Sequence, residues 1–447
     1  MISKEIHQKI YFWALAYLFF SVPFMSRWLP FTIGIVVLAL NFLVEGNLFS
    51  RLKKTARNPW ALLFVLFYVL HIISAAYSTN HSEANRDLFL KLPLLIIPIV
   101  LSSNVITEFQ KRRLFSFWVL AIMIVVCLLL GQAYINYAEK GYVRFWFYSE
   151  LTGGKHPAYF SVYCITAIIL LFQGKFEKWK VLPLILLVLM VFLLSSRMQI
   201  LVLFVIAFVK VCQEFAQSKK VRPIVIMAFI GIISLFLCEN VRNKTRINTI
   251  QNEIGQLLSP EFKNSTRGAI WDLGFQTIQE SPWIGHGNGD EFEELNKSIK
   301  SKVQLKESEI VALANQTIRD TSIMKSLYST AERRGWDKSD LHFRYAKWKL
   351  IKDSDSPYNK FYKHYYNYHN QFLQSWATSG ILCLLVLLGI FFVAVRMGIQ
   401  HKDFALLAIA FLIAMSFMSE SMLERQYGVI YFALILPVMM LESRKPV

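Results

Sequence analysis

The chain has 447 residues, of which 55% are hydrophobic and only 17% are charged, and its mean hydropathy is +0.41. The apolar residues form continuous blocks of about 20, the length of a membrane-spanning helix. These features exclude an ordinary soluble domain, and they exclude a membrane β-barrel, whose strands alternate in polarity. The net charge of +18 does not indicate nucleic-acid binding, because most Lys and Arg lie in short tethers beside the blocks, next to anionic headgroups.

The apolar blocks predict an all-α, polytopic membrane protein of about twelve transmembrane helices. The predicted spans begin near Tyr11, Leu29, Trp60, Leu88, Phe115, Pro157, Val181, Ile200, Pro223, Thr378, Phe404 and Gly428. Lys91 and Pro93 interrupt the fourth span, and we expect Lys91 to reach the interface along its apolar stem. No small-residue cleavage site follows the first block, so we expect that block to remain as an anchor.

The short loops divide into two sets by charge. The set that includes "RLKKTAR" from Arg51 and "SKKVR" from Ser218 holds more Lys and Arg than the alternate set. The positive-inside rule then predicts that both termini are cytoplasmic, which an even number of spans requires. The long segment 239–368 would lie outside as a mostly helical domain, between transmembrane helices 1–9 in residues 1–238 and helices 10–12 in residues 369–447.

Two arginines occupy positions suited to anion binding. In "NSTRGAIWDLGFQTIQESPW", Ser265 or Thr266 would cap a helix that ends at Glu280, which puts Arg267 in its first turn. An arginine there opposes the helix dipole unless a phosphate occupies the site, although a surface pair with an acidic residue is the alternative. Arg197, in the short turn "SSRMQ" between two apolar spans, would bind an anion or reach lipid phosphate.

His369 and Asn370 stand where the long segment enters an apolar helix. His369 has the proton affinity of a general base, with His364 as the control histidine, although interfacial aromatic neighbours make a belt position the alternative.

Further polar candidates lie in other outer turns: His156 before a span, and Glu420, Glu424 and Arg425 in "SESMLERQYG". We expect Glu420 and Glu424 to share a helical face and to pair with Arg197 or Arg425.

Two motifs favour simpler interpretations. "GHGNGD" resembles a dinucleotide fingerprint only superficially, because no strand precedes it, and we expect a flexible turn whose backbone N–H groups could face a ligand. The five cysteines lie in or beside apolar blocks without CxxC spacing, so no metal site is predicted.

Taken in order, these stretches resemble the O-antigen ligase and polymerase superfamily of membrane glycosyltransferases, in versions similar to those of Bacteroidetes. The resemblance rests on "SSR" before the eighth span, "STRGAIWDLGFQTIQESPWIGHGNGDEF" opening the long loop between the ninth and tenth spans, "HNQFLQSWATSGILCLL" closing it, and the "HPAYFS" and "ESMLERQYGV" stretches. It covers most of the chain from His156 onward, but nothing in residues 297–360.

The resemblance implies a GT-C-like enzyme of the bacterial inner membrane, working at the periplasmic face within a lipid bilayer. The donor would be a glycan on undecaprenyl pyrophosphate, with Arg197 and Arg267 binding the pyrophosphate and His369 acting as general base. The reaction would invert the anomeric carbon and use no metal, nucleotide or other cofactor.

The acceptor stays open: lipid A-core for a ligase, a glycan for a polymerase, or a protein hydroxyl for an oligosaccharyltransferase. One dominant outer loop favours the ligase. A polysaccharide transporter is the alternative of another class, but it would show paired broken helices and mid-membrane charges.

Overall fold

The computed structural model describes residues 3–25, 30–173, 177–218, 266–334, 339–354, 356, 358–362 and 365–441. Within these ranges the chain forms helices joined by turns and short irregular segments, and no extended strand occurs among them. The predicted all-α class is therefore confirmed for the described part of the chain.

The α-helices before residue 219 are α1 (Lys4–Ser21), α2 (Thr32–Val44), α3 (Leu48–Arg57), α4 (Pro59–Ala76), α5 (His81–Lys91), α6 (Pro93–Ser103), α7 (Glu108–Lys140), α8 (Tyr148–Leu151), α9 (Pro157–Leu171), α10 (Val181–Leu193) and α11 (Arg197–Ser218). Those after residue 265 are α12 (Thr266–Glu280), α13 (Glu291–Lys302), α14 (Glu307–Arg319), α15 (Thr321–Arg334), α16 (Leu341–Lys352), α17 (Gln371–Gln400), α18 (Phe404–Ser419) and α19 (Gln426–Met440).

Several of these helices have the length and composition of membrane spans. Among the described residues, α4, α7, α11 and α17 are each long and apolar enough to cross a membrane. The helices α2 and α3 together could make a fifth span, bent by 116°. The helices α9, α10, α18 and α19 are apolar but shorter. This architecture fits a polytopic membrane protein. The count of twelve spans stays a prediction, and the span predicted near Pro223 lies outside the described residues.

Aromatic side chains pack the centre of the bundle. Phe391 of α17, Phe417 of α18 and Phe432 of α19 have ring centroids 5.0 to 6.0 Å apart. Offset and edge-on aromatic contacts of this kind add to the free energy of burying the rings. They fix the three C-terminal helices against one another, and so fix where α17 begins and where α18 ends.

The helix α17 is broken at Ser379 and Gly380, and the segment that follows α12 fills the break. The N–H of Ile381 donates to the carbonyl of Pro282 at 3.0 Å, and Trp376 Nε1 donates to the same oxygen at 2.9 Å. Gly380 has a φ of +76°, and a Cβ there would lie 2.0 Å from the carbonyl oxygen of Trp283. Only glycine fits this position without displacing the backbone.

The segment "GHGNGD" forms a turn as expected, but the expectation that its backbone N–H groups could face a ligand is wrong. The N–H groups of His286 and Gly287 donate to the carbonyls of Ala377 and Thr378 at 2.7 and 3.1 Å. These carbonyls belong to the turn of α17 before its break, where regular helical partners are missing. The segment therefore anchors α12 to α17 and, through it, sets the position of Arg267.

The segment after α13 forms a small helical unit. Leu305, Ile310, Ala314 and Ala346 make a separate buried cluster that joins α14 to α16. Residues 239–265, where the predicted outer domain begins, lie outside the described part of the chain. The predicted domain boundaries and the periplasmic placement stay predictions.

Candidate functional site

A buried carboxylate stands at the end of α18. Glu420 follows the last helical residue with an extended backbone (φ −150°, ψ 145°), and its N–H donates to Ser416. The residue is 8% exposed. A carboxylate so far removed from water requires positively charged or hydrogen-bonding partners.

Three side chains from distant parts of the sequence supply those partners. An Arg267 guanidinium nitrogen donates to Glu420 Oε1 at 3.1 Å, His369 Nδ1 lies 3.1 Å from Oε2, and His156 Nε2 lies 3.7 Å from Oε1. We refer to Arg267, His369, His156 and Glu420 as the Glu420 cluster. Arg267, His369 and His156, all singled out from sequence, thus contact Glu420, which was also singled out.

Arg267 lies in the first turn of α12, as predicted. This helix begins at Thr266 and ends at Glu280, and Ser265, which precedes the first helical residue, lies outside the described residues. The buried side of α12 packs on Tyr368, the residue before His369. The Arg267 side chain keeps 43% of its surface exposed, so the guanidinium is held by Glu420 and remains open to a ligand.

His369 adopts an unusual backbone conformation. Its φ is +46°, in the left-handed region that a residue with a Cβ rarely occupies. Its N–H donates to the Asn367 side chain at 3.1 Å, and the next residue, Asn370, caps α17 by accepting from the N–H groups of Phe372 and Leu373. Such strain is common at functional sites. Asn370 therefore serves as a helix cap, and His364 lies outside the described residues.

His156 lies at the mouth of α9. Its ring packs edge-on against Tyr159 at 5.9 Å, and its Nδ1 is buried with no hydrogen-bond partner among the described residues. Burial lowers the pKa of His156 more than the nearby Glu420 carboxylate raises it. The side chain is therefore neutral near pH 7.

Glu420 is ionised in spite of its burial. Burial alone would raise the pKa of this carboxyl group, but the hydrogen bond from His369 and the neighbouring charges outweigh it, so the pKa is lowered. An ionised carboxylate can only accept hydrogen bonds, so Nδ1 of His369 must carry a proton. When the ring is neutral, its Nε2 is then left with a free lone pair.

The position of Arg197 relative to the cluster is partly defined. Arg197 is the first residue of α11, and Gln199, two residues later, donates from Nε2 to Ser416 Oγ at 3.3 Å. Ser416 lies one helical turn before Glu420. The start of α11 is therefore beside the end of α18, and direct participation of the Arg197 side chain stays a prediction.

The expected shared face of Glu420 and Glu424 is wrong. The backbone is extended at Glu420, so the two residues are not on consecutive turns of one helix. Glu424 Oε1 instead lies 3.3 Å from Lys91 Nζ, whereas Glu420 is held by Arg267. Arg425 is exposed and acts at a distance, lowering the pKa of His156.

Lys91 is buried inside the protein and does not extend outward along its apolar stem, which corrects the expectation drawn from sequence. Its side chain is 1% exposed and forms ion pairs with Asp87 and Glu424. Removing two carboxylates and an ammonium group from water is tolerated when they pair. Asp87 four residues before Lys91 was a signal for the first pair, but no local pattern indicated the second.

Glu291 extends this buried network and was not singled out from sequence. Its carboxylate accepts from the N–H of Gly289 at 2.7 Å and from Gln374 Nε2 at 3.0 Å. Burial, together with the Glu424 and Asp87 carboxylates, raises the pKa of Glu291 to about 8. The network therefore connects α5, α13 and α17 to the turn that follows Glu420.

The fold and the cluster define a helical membrane protein with a cationic and histidine-bearing site at one end of its bundle. Residues 182–316 match a family model described as O-Antigen ligase, and this match supports the resemblance to the O-antigen ligase superfamily. The matched segment contains Arg197 and Arg267 and ends before His369 and Glu420. No curated protein matches the chain. A Bacteroidetes-like origin stays a prediction.

The match supports glycosyltransferase-like activity of the O-antigen ligase or polymerase type. It also supports placement in a membrane and substrates of the glycan and lipid-linked class. The donor, the acceptor and the roles of individual residues are not given by the match.

Proposed function

We propose that this protein transfers a glycan from undecaprenyl pyrophosphate to an acceptor hydroxyl, lipid A-core or a similar molecule, at the periplasmic face of the inner membrane. The observation that supports the proposal is the convergence of Arg267, His369 and His156 on Glu420. An anion-binding group and a base lie side by side where α17 begins and α18 ends.

In this proposal His369 accepts the proton of the acceptor hydroxyl through Nε2. Glu420 holds Nδ1–H, which fixes the ring and stabilises the imidazolium that forms when the proton is taken. As it loses its proton, the acceptor oxygen attacks the anomeric carbon from the face opposite the leaving group. The bond from that carbon to the pyrophosphate oxygen breaks, and the configuration is inverted.

Arg267 stabilises the departing pyrophosphate. One guanidinium nitrogen donates to Glu420, and the planar group carries further N–H donors that can bind two phosphate oxygens. Charge develops on the leaving group as the bond breaks, so a fixed cation lowers the free energy of the transition state. We propose that Arg197 contributes a second guanidinium to the same pyrophosphate.

The location of the cluster suits a lipid-linked donor. A polyprenyl chain stays in the bilayer and confines its pyrophosphate to the interface. The cluster lies where α9, α11 and α17 begin and α18 ends, at one end of the apolar helices. A base and a cation at that level meet the pyrophosphate without drawing the lipid out of the membrane.

The experiment is deletion of the gene followed by analysis of surface glycans. Lipid-linked polymer accumulating beside bare core indicates a ligase, single repeat units on core indicate a polymerase, and bare glycoproteins indicate protein glycosylation. Wild type should restore the glycan and Arg267→Ala should not, with both proteins present equally in the membrane. Unchanged glycans after deletion would exclude all three activities.

A further inference from the structure

A basic cavity lies at the other end of the bundle. It has a volume of about 640 Å³ and is lined by Lys54 and Arg57 of α3, Asn58, Arg396 of α17 and His401. No Asp or Glu lines it among the described residues. Basic side chains from two separate parts of the chain therefore surround one space, and none of the described lining residues is a carboxylate that would neutralise them.

The cavity is far from the Glu420 cluster. The helix α17 begins at Gln371, next to His369, and ends at Gln400, which lines the cavity. After the break at Gly380, α17 continues as a regular helix to Gln400, a run of about 20 residues that is roughly 30 Å long, the thickness of the hydrocarbon core of a bilayer. The cavity therefore lies at the headgroup level of the opposite leaflet, and it is not part of the proposed transfer site.

The helix α3 has the properties of an interfacial helix. It turns by 116° from α2, so it does not continue the path of that span. Leu48, Phe49 and Leu52 are exposed apolar residues on α3, and Lys54 and Arg57 lie on the same short helix. Apolar side chains with lysine and arginine on one helix are typical of segments lying in the headgroup region of anionic membranes.

The walls of the cavity suit a phosphate attached to acyl chains. Asn58 Oδ1 is buried without a hydrogen-bond partner among the described residues, so this acceptor is left for a hydroxyl donor such as that of a glycerol headgroup. Trp60 and Met397 form apolar parts of the lining. Beside the cavity, Phe392 and Ile399 of α17 are 66% and 63% exposed, so acyl chains can lie along the helix while the phosphate enters.

We infer that this cavity binds the headgroup of an anionic phospholipid in the leaflet opposite the Glu420 cluster. The phosphate lies between the α3 cations and Arg396, and the acyl chains run along the last turns of α17. Charge complementarity favours an anionic lipid over a zwitterionic one. The lipid would tie α3 to the end of α17, and the inference is independent of the proposed transfer reaction.

The experiment measures binding of phosphatidylglycerol and phosphatidylcholine to the purified full chain in detergent by native mass spectrometry. Phosphatidylglycerol should bind more tightly to the wild type. Arg57→Gln/Arg396→Gln should weaken that binding by roughly 30-fold, about fivefold for each charge. Arg57→Lys/Arg396→Lys should restore most of it, since the phosphate needs the charge.

The matched control is Lys53→Gln/Arg113→Gln, which removes two exposed charges outside the cavity lining. It should leave binding within about twofold of wild type, because neither side chain lines the proposed site. Equal losses in both double variants would overturn the inference in favour of diffuse attraction.

Two further measurements test whether the cavity binds inorganic phosphate or the C-terminal segment instead of a phospholipid. Inorganic phosphate at millimolar concentration should not displace the lipid, and displacement would overturn the assignment to a phospholipid. Removing residues 442–447 should leave phosphatidylglycerol binding unchanged. If the lipid bound only after that removal, the cavity would be a seat for the C-terminal segment, and the inference would be wrong.

Discussion

Replacing Glu420 by Gln removes one charge and keeps the size of the side chain. In the wild type the carboxylate accepts from His369 Nδ1–H, which leaves Nε2 free to take a proton. The Gln amide can instead donate its N–H to Nδ1, and this places the ring proton on Nε2, where it blocks the base. The second oxygen of the carboxylate, which accepts from Arg267, is affected as well.

General base catalysis contributes about 10²–10⁴ to a rate, so we expect kcat to fall by roughly 100-fold to 1,000-fold. The KM for the donor should change much less, because Arg267 still carries its charge. The assay is transfer of a lipid-linked glycan to acceptor by purified protein, with product separated on gels.

The control is Glu424→Gln, a buried carboxylate four residues away that pairs with Lys91. We expect this variant to alter thermal stability while kcat per folded molecule stays close to wild type. A Glu420→Gln enzyme that turns over within threefold of wild type would refute the orientation of His369 by Glu420.

Three further predictions follow from other contacts. Arg267→Ala should abolish transfer and Arg267→Lys should impair it more than tenfold, because a point charge cannot replace a planar fork; transfer assays with equal amounts of folded protein check this, and full activity in both would exclude the pyrophosphate role. Gly380→Ala should lower stability by more than about 2 kcal/mol, from a positive φ and a clash with backbone, whereas Gly389→Ala, in the same helix with only ordinary side-chain contacts, should not. Equal thermal midpoints for the two alanine variants would contradict the break in α17. Because burial raises the pKa of Glu291 to about 8, the folded state holds a proton that the unfolded chain releases above about pH 4.5, so stability should fall between about pH 5 and pH 8. Glu291→Gln should flatten that fall in thermal unfolding, and an unchanged slope would mean that Glu291 is ionised when folded.

Local sequence signals predicted the parts of the site that depend on short-range chemistry. The predicted helix start near Thr266 and stop at Glu280 agree with the bounds of α12, which place Arg267 in the first turn. The entry of the chain into an apolar run at Gln371 likewise placed His369 at a helix start. Capping and hydropathy act within a few residues, which is why the sequence alone was enough to predict that both residues lie at helix starts.

The partners of these residues could not be predicted in the same way. Arg267 and Glu420 are 153 residues apart, and His369 and Glu420 are 51 apart. Such contacts depend on how whole helices pack, and no local pattern encodes that packing. Glu420 therefore looked like one of two similar carboxylates, while in the fold it is the residue on which the others meet.

The errors have the same origin. Lys91 looked able to reach the interface because only its own apolar block was visible, whereas Glu424, which pairs with it, is 333 residues away. "GHGNGD" looked flexible because glycines without a visible partner indicate a turn. Its partner is the break at Ser379 and Gly380, inside a stretch that reads as continuous helix.

The most direct test of the central claim is a structure of the protein with a non-hydrolysable polyprenyl pyrophosphate bound. We expect the pyrophosphate beside the Glu420 cluster, with a phosphate oxygen about 3 Å from the Arg267 guanidinium and His369 Nε2 on the side of the sugar's anomeric carbon opposite the pyrophosphate. A pyrophosphate bound elsewhere on the protein, with Arg267 and His369 untouched, would contradict the account.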